Sequence, residues 1–246
     1  MKPPSAPRDR GPAAATRPTV TTKRAQASYR AEAIRVGAKR LAKTLLRPLL
    51  YRYPPIGLQP ERLHVWLRTL IETAQVEGDV VEVGCSLGGT AAYASRMLRN
   101  LGVAKRYLCV DTFSGFVPDQ FADDLARGNR ASNRWLFADN SRALVRGILD
   151  QHGARDVALL AGDISTIAES LLPPRICDAL LDVDLALPIY DGLRKLYPRL
   201  APGGVIAVDD CPEGYDWQAR QGYERFCREA GLTPRYELGV GLVRKG

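Results

Sequence analysis

The chain has 246 residues, 46% of them hydrophobic, which is enough for one large α/β domain or two small ones around a sizeable core. Five cysteines without a CxxC pair and only two histidines exclude the usual zinc-ligand spacings, and reduced thiols in a cytoplasmic protein are the expectation. The net charge of +8 comes from residues 1–60, which hold 13 Lys and Arg and two acids. Residues 61–246 hold 22 Lys and Arg and 25 acids, so their own net charge is slightly negative. The basic character is therefore weak evidence for a nucleic-acid partner.

No apolar run approaches the ~20 residues of a membrane span, and the first residues lack the apolar centre of a signal peptide. Residues 1–27 are rich in Pro, Ala, Thr and Arg, a composition that predicts a disordered basic tail. Residues 28–76 are predicted to form an N-terminal helical extension. It starts with a basic amphipathic helix over 28–50, which would pack on the protein itself, on a dimer partner or on a membrane surface.

After a Pro-rich linker, a second helix is predicted over 61–76, with Leu63, Trp66, Leu67, Leu70 and Ile71 on one face. A further domain is expected over residues 77–246.

This domain would open with a strand from Asp79 that runs into a glycine-rich turn and a helix from Ala91. Such a turn lets a ligand approach the backbone closely, and the following helix presents free N–H groups to it. The turn is not the dinucleotide fingerprint GxGxxG, because Ser86 stands where glycine is required, which disfavours a dehydrogenase. Glu82 is an unusual acid in an apolar strand and suggests contact with a polar ligand.

A second strand, over 106–110, ends in Asp111, at the position where an acid commonly holds a ribose diol. The segment 112–138 that follows is irregular and rich in aromatic residues, which predicts a mobile lid. A strand over 157–160 then leads to the turn Gly162-Asp163 and to a short helix with a capping box from Thr166 to Glu169.

Two apolar runs farther along the chain end in acids, Asp182-Val183-Asp184 and Asp209-Asp210, with one helix between them. A strand–helix–strand unit has a right-handed crossover and parallel strands, so Asp182, Asp209 and Asp210 should converge at one edge of the sheet. A single Asp at a strand end is ordinarily a cap or a solvated loop residue. Crowded carboxylates instead repel one another and raise each other's pKa unless a cation binds between them. Oxygen-only ligands suit Mg²⁺ or Ca²⁺.

The chain resembles class I S-adenosylmethionine-dependent methyltransferases, because it has the following residues in the same order: Glu82–Gly89, Asp111, Gly162-Asp163, Asp182 and Asp209-Asp210. The most similar group is the macrocin O-methyltransferase family of antibiotic pathways. The matching pieces span roughly residues 45–245 and read LLYRYPP, VVEVGCSLGGT, VDTFSGF, LDVD and LYPRLAPGGVIAVDD.

The resemblance implies an α/β fold with a doubly wound, seven-stranded, mostly parallel Rossmann-like sheet, and an N-terminal helix and a lid that close over the substrate, usually in a homodimer. It also implies Mg²⁺ held by Asp182, Asp209 and Asp210, with Asp182 as the candidate base and Asp184 as the second choice. S-adenosylmethionine would lie over the glycine turn and contact Glu82, Gly84, Cys85, Ser86, Thr90, Asp111, Thr112, Gly162 and Asp163.

The expected activity is methylation of a hydroxyl on a glycosylated natural product. Octahedral Mg²⁺ with three Asp ligands keeps positions open for two substrate oxygens, so a vicinal diol on a sugar fits. The family usually continues Leu-Tyr-Glu-Ser-Thr after the Asp-x-Asp, whereas this chain has the apolar residues 185–189 there and Cys211 in place of a Tyr. A phenolic or catechol acceptor is therefore the alternative, and a non-catalytic or nucleic-acid-binding protein that acts through the basic tail is the remote one.

Overall fold

The computed structural model describes the backbone of residues 20–246 and the side chains from residue 28 onward, so most of the predicted tail lies outside the described residues. Seven strands form one sheet in the order β3-β2-β1-β4-β5-β7-β6. Strands β1 to β5 are parallel, and β7 runs antiparallel to both β5 and β6. The doubly wound, mostly parallel sheet predicted from the sequence is confirmed. The strands are β1 (Asp79–Val83), β2 (Tyr107–Asp111), β3 (Ala158–Ala161), β4 (Ile176–Leu181), β5 (Leu200–Val208), β6 (Arg235–Glu237) and β7 (Val240–Arg244).

Helices cover both faces of the sheet, which is why its central strands are mostly apolar, with Glu82 in β1 and Asp178 in β4 as buried exceptions. Eight α-helices occur in the described residues: α1 (Val20–Leu45), α2 (Arg47–Leu50), α3 (Pro60–Glu72), α4 (Gly89–Asn100), α5 (Pro118–Ala126), α6 (Arg142–Gln151), α7 (Ala186–Leu196) and α8 (Ala219–Glu229). Helices α3, α4 and α6 pack on one face, around Trp66, Ala94 and Leu149. Helices α7 and α8 pack on the other face, around Leu193 and Phe226.

The N-terminal helix differs from its predicted range of 28–50. It begins at Val20 and ends at Leu45, and the separate helix α2 follows. The break follows from Pro48, which has no backbone N–H to donate to the carbonyl four residues earlier and whose ring clashes with that carbonyl. No helix of the described residues is both long and apolar enough to cross a membrane.

Two further predictions are wrong in detail. The capping box from Thr166 to Glu169 does not form, because the Thr166 hydroxyl turns back to Asp163 and only a 3-10 turn over 169–171 follows. The predicted apolar face of α3 is rotated, since Ile71 is 53% exposed whereas Thr69 is buried. Thr69 and Thr73 are buried because their hydroxyls donate to the carboxylate of Asp178 on β4, at 3.4 and 2.8 Å.

Glu82 lies inside β1 and is buried on the face that α3 and α4 cover. The Tyr107 hydroxyl of the adjacent strand donates to Glu82 Oε2 at 2.5 Å. Burial raises the pKa of Glu82 to about 8, although the Tyr107 hydrogen bond opposes the rise. The folded protein therefore holds Glu82 protonated in the pH range where an exposed glutamate is ionised.

This buried acid should make the stability of the fold depend on pH. Because the pKa is about 8 in the folded chain and 4.5 in water, folding takes up a proton between these values, so stability falls as pH rises through this window. Glu82→Gln removes the titration and keeps an acceptor for Tyr107. The unfolding free energy of Glu82→Gln minus that of the wild type should increase by about 3 kcal/mol from about pH 5.5 to about pH 8.5, because only the wild type loses stability over this range.

Urea unfolding at the two pH values measures the gain. The control is Glu77→Gln, whose side chain is exposed in a surface ion pair with Arg175, and it should show no such gain. An equal offset of Glu82→Gln from the wild type at both pH values would mean that Glu82 is already ionised in the fold.

Candidate active site

The motifs predicted from the sequence meet along one edge of the sheet. Backbone hydrogen bonds connect the strand ends in series: Gly162 N to Asp111 O, Gly84 N to Val110 O, Asp182 N to Val83 O, and Asp209 N to Leu181 O, all within 2.8–2.9 Å. The parallel register thus brings the ends of β2, β1, β4 and β5 level with one another. This is the edge at which doubly wound sheets bind their ligands.

A cavity of about 220 Å³ opens at this edge. Glu82, Cys85 and Thr90 are buried behind it and are not part of its wall, so their predicted contact with a cofactor stays a prediction. Nine of the predicted site residues line it: Gly84, Ser86, Asp111, Thr112, Gly162, Asp163, Asp182, Asp209 and Asp210.

The glycine turn after β1 is packed directly against the acidic loop. Gly84 has a φ of +87°, and a Cβ atom there would lie 1.8 Å from the carbonyl oxygen of Asp182. Any other residue would push the ends of β1 and β4 apart, which accounts for glycine at this position. Ser86 follows in the same turn, and its N–H donates to Asp111.

The carboxylate of Asp111 is held by the backbone at the rim of the cavity. Its Oδ2 accepts from Ser86 N at 2.9 Å and its Oδ1 from Phe113 N at 2.7 Å. Burial raises the pKa of Asp111, and these two hydrogen bonds oppose the rise. Each oxygen keeps a free lone pair, so Asp111 could still accept two hydroxyls of a ribose.

A polar contact that the sequence did not predict lies next to the turn after β3. Gln120 of α5 donates to Asp163 Oδ2 at 2.9 Å, while Ser165 N donates to Oδ1 at 2.9 Å. Both Gln120 and Asp163 line the cavity. Helix α5 therefore forms part of the cavity wall beside the turn after β3.

At the other end of the cavity, the acids after β4 and β5 do converge, but in a different grouping from the predicted one. Carboxylate oxygens of Asp182, Asp184 and Asp210 lie within 4.8 Å of one another, whereas Asp209 is not part of this group. Asp184 and Asp210 adopt left-handed backbones, with φ of 60° and 55°. Asp tolerates this conformation better than most residues, and strained backbones are common at functional sites.

Asp209 stands apart because it faces Arg62, in the first turn of α3. Arg62 Nη1 lies 3.2 Å from both carboxylate oxygens of Asp209 and 2.5 Å from Asp210 Oδ1. Arg62 is not among the site residues predicted from the sequence. It is three and four residues from Val65 and Trp66 on the buried stripe of α3, and this spacing was the available signal.

The acids remain crowded despite this ion pair. Burial, followed by the charges of neighbouring aspartates, raises the pKa of Asp182 and of Asp184 well above the ordinary value. The same two causes raise the pKa of Asp209 to about 7, against the opposing effect of Arg62. Three converging carboxylates with this excess of negative charge fit a divalent cation that prefers oxygen ligands.

The predicted lid, residues 112–138, is more structured than its sequence suggested. It contains α5 and a 3-10 turn over 131–135. Its Phe116 ring lies 5.5 to 5.7 Å from the rings of Phe121, Phe137 and Trp217. The aromatic residues therefore already have partners within the protein.

A buried carboxylate ties the lid to the acidic loop. Asp124 of α5 has no exposed surface, and its Oδ1 accepts from the backbone N–H of Ala186 at 2.9 Å. Ala186 begins α7 two residues after Asp184, so the contact also caps the free N-terminus of α7. The position of Asp184 is thus coupled to that of the lid.

Helix α1 lies over the far end of the lid. Arg40 Nη2 donates to Ala138 O at 2.7 Å, and Lys43 Nζ lies 2.7 Å from Asp139 Oδ1. The Tyr29 and Trp135 rings are 4.9 Å apart. The N-terminal helix α1 therefore packs on the lid of the same chain, which is the first of the three predicted arrangements.

Comparisons with known proteins agree with this architecture. Residues 8–235 match the family described as Macrocin-O-methyltransferase (TylF). The 8-demethyl-8-(2,3-dimethoxy-alpha-L-rhamnosyl)-tetracenomycin-C 4'-O-methyltransferase of Streptomyces olivaceus is 31% identical over 158 residues, which are 60% of this chain and 60% of that protein. Mycinamicin III 3''-O-methyltransferase of Micromonospora griseorubida is 30% identical over 141 residues, 55% of this chain and 56% of that protein.

The chain thus matches less than two thirds of the length of these curated relatives. The crystal structure of the calicheamicin methyltransferase CalS11 shares the fold, with a TM-score of 0.62 and 18% identity over 97% of this chain and 100% of that one. Because the family match covers most of the sequence, this chain belongs to the macrocin O-methyltransferase family.

Proposed function

We propose that this protein is a S-adenosylmethionine- and Mg²⁺-dependent O-methyltransferase that methylates a sugar hydroxyl, within a vicinal diol, on a glycosylated natural product of an antibiotic pathway. The observation that carries the proposal is that one cavity has Asp111 and Asp163 at one end and the aspartate cluster at the other. A methyl donor and an acceptor hydroxyl can therefore meet inside it. The names of the relatives, which act on rhamnosyl-tetracenomycin and mycinamicin, support a glycosylated acceptor.

S-adenosylmethionine is the proposed methyl donor. Asp111 would accept the ribose hydroxyls, Asp163 would hold the adenine, and the turn from Gly84 to Ser86 would receive the methionine part. The hydrogen-bonding groups present fit such a ligand, because the carboxylates of Asp111 and Asp163 line the cavity and are already oriented by backbone N–H groups. A preoriented acceptor loses less entropy when the ligand binds.

Mg²⁺ is proposed at the acidic end of the cavity. Asp182 and Asp210 would hold it, with Asp209 as the predicted third ligand and Asp184 as a further carboxylate within reach. When bound, the metal would make a substrate hydroxyl more acidic and hold it in place. Asp182 is the proposed base, because it is partly exposed to the cavity, whereas Asp184 is buried.

The walls around the acidic end determine which acceptors fit. Phe116, Tyr215 and Trp217 line this cavity, and aromatic rings pack well against the C–H faces of sugars as well as against phenols. Leu185 and Pro188 are also part of the wall, so the apolar segment after Asp184 does reach the site. This observation supports a phenolic or catechol acceptor as the second candidate.

Mass spectrometry of the protein with S-adenosylmethionine and a panel of glycosylated and phenolic natural products tests the function. We expect a glycosylated compound to gain one methyl group in the presence of Mg²⁺, and EDTA to abolish the gain. Methylation of phenols alone would favour the second candidate. Methyl transfer that persists in EDTA would remove the metal from the mechanism, and no transfer to any compound would leave the proposed acceptor class unsupported.

Cofactor binding gives a second test. Asp111→Ala should weaken S-adenosylmethionine binding by about 1.5–3 kcal/mol, since it removes a charged acceptor of two hydrogen bonds. Isothermal titration calorimetry measures the change. The control is Asp150→Ala, an exposed residue of α6 paired with Arg146, and it should bind like the wild type. Equal affinity in a folded Asp111→Ala protein would exclude Asp111 from the cofactor site.

We also propose that the protein is a homodimer that pairs through α1. The side of α1 that faces the lid is mostly charged and includes Arg40 and Lys43, while its apolar side points outward, with Ile34, Leu41 and Leu45 at 74%, 60% and 71% exposure. An outward apolar stripe of this kind is typical of a surface that another chain covers. A second copy supplies an identical stripe, which allows a two-fold symmetric pairing.

Light scattering on the wild type should give twice the mass of one chain. Leu41→Glu combined with Leu45→Glu should give single chains, because it places four carboxylates in the paired apolar stripe. Lys39→Glu, an exposed position on the same helix, serves as the control and should remain dimeric. Dimers that persist in the double variant would place the interface elsewhere.

A further inference from the structure

The acids at the ends of β4 and β5 have a single cationic neighbour. Among residues 28–246, Arg62 is the only basic residue within 4.0 Å of a carboxylate oxygen of Asp182, Asp184, Asp209 or Asp210. Its guanidinium is buried, as are Asp209 and Asp210. The described residues thus supply one positive charge next to these four acids, and it is paired with Asp209 and Asp210.

Arg62 is held firmly in this place. It lies in the first turn of α3, which Thr69 and Thr73 fasten to Asp178 on the sheet. Its guanidinium carbon is 5.2 Å from the centre of the Tyr215 ring, close enough for a cation–π contact. A guanidinium also stays charged at any pH at which the protein is folded, so its positive charge is permanent.

Asp210 faces two possible cations. One of its oxygens accepts from Arg62 at 2.5 Å, and its carboxylate also belongs to the group with Asp182 and Asp184 that suits a metal. Asp209, a ligand in the proposed metal site, is paired with the same guanidinium. A divalent cation that approaches this cluster thus meets carboxylates that already interact with a positive charge.

We propose that Arg62 is a built-in counter-cation that stabilises Asp209 and Asp210 in the metal-free protein and competes with the divalent metal for them. This inference rests on the metal site of the proposed function. Two like charges repel strongly in a buried site, so Arg62 lowers the affinity for the metal. The same ion pair keeps the metal-free fold stable, because buried carboxylates without a partner are costly.

Replacing the guanidinium should therefore change two properties in opposite directions. Arg62→Gln should melt at a lower temperature than the wild type in EDTA, because it leaves the aspartates without their counter-charge. It should also bind a divalent metal about tenfold more tightly or better, since the competitor is gone. A residue with a merely structural role would lower stability and leave the metal affinity equal or weaker.

Mn²⁺ is the probe, because free Mn²⁺ can be counted by electron paramagnetic resonance without cofactor, acceptor or turnover. The full-length wild type, Arg62→Gln and Arg62→Lys are titrated, and melting is followed in EDTA and in Mn²⁺. The matched control is Arg68→Gln on the same helix, which removes an arginine paired with Glu72 and Glu237 at the surface. It should bind Mn²⁺ like the wild type.

Arg62→Lys covers the case in which Arg62→Gln does not fold. Lysine keeps the charge but loses the planar guanidinium, so it competes less well, and this variant should also bind Mn²⁺ more tightly than the wild type. Affinity that is unchanged or weaker in the folded Arg62 variants would overturn the inference while leaving the metal site intact. If neither the wild type nor Arg62→Gln shows saturable binding, the proposed metal site fails, and the inference fails with it.

Discussion

In the part of the chain whose side chains are described, four carboxylates crowd the carboxyl edge of β4 and β5, and one guanidinium pairs with two of them; much of the site follows from this imbalance of charge. It accounts for an arginine in the first turn of α3, where an acid would suit the helix dipole better. It also gives a reason for the strained backbones of Asp184 and Asp210, which aim both carboxylates at the same small volume. Such crowding is costly for folding, and the proposed cation site depends on it.

The main lines of this arrangement could be predicted because they depend on local sequence and on a general rule of topology. Two apolar runs joined by one helix must be parallel neighbours, so the residues that follow them must meet, and Asp182 and Asp209 do follow the paired residues Leu181 and Val208. Gly84 and Asp111 lie on the same edge for the same reason. Family resemblance added the expected chemistry of these positions but was not needed to predict that they lie together.

The parts that could not be predicted depend on which polar groups meet across the fold. Arg62, Gln120 and Asp124 are ordinary helix residues in the sequence, and each takes its role from a partner more than forty positions away. The face of α3 was misjudged because apolar periodicity gives no weight to buried polar pairs such as Thr73 with Asp178. The partners of the lid's aromatic residues could not be predicted either, because Phe116 packs on Phe121 and on Trp217, which lies in a different part of the sequence.

The place of β7 in the sheet bears on how the protein is made. β7 pairs with β5 along Val205–Val208, and Cys211 N donates to Gly239 O just beyond the aspartate pair. Ribosomal synthesis delivers β5 about thirty residues before β7, so the nascent chain carries β5 with one open edge of unpaired backbone groups. The strand that precedes Asp209 and Asp210 therefore gains its second neighbour only after the C-terminal hairpin of β6 and β7 has been synthesised.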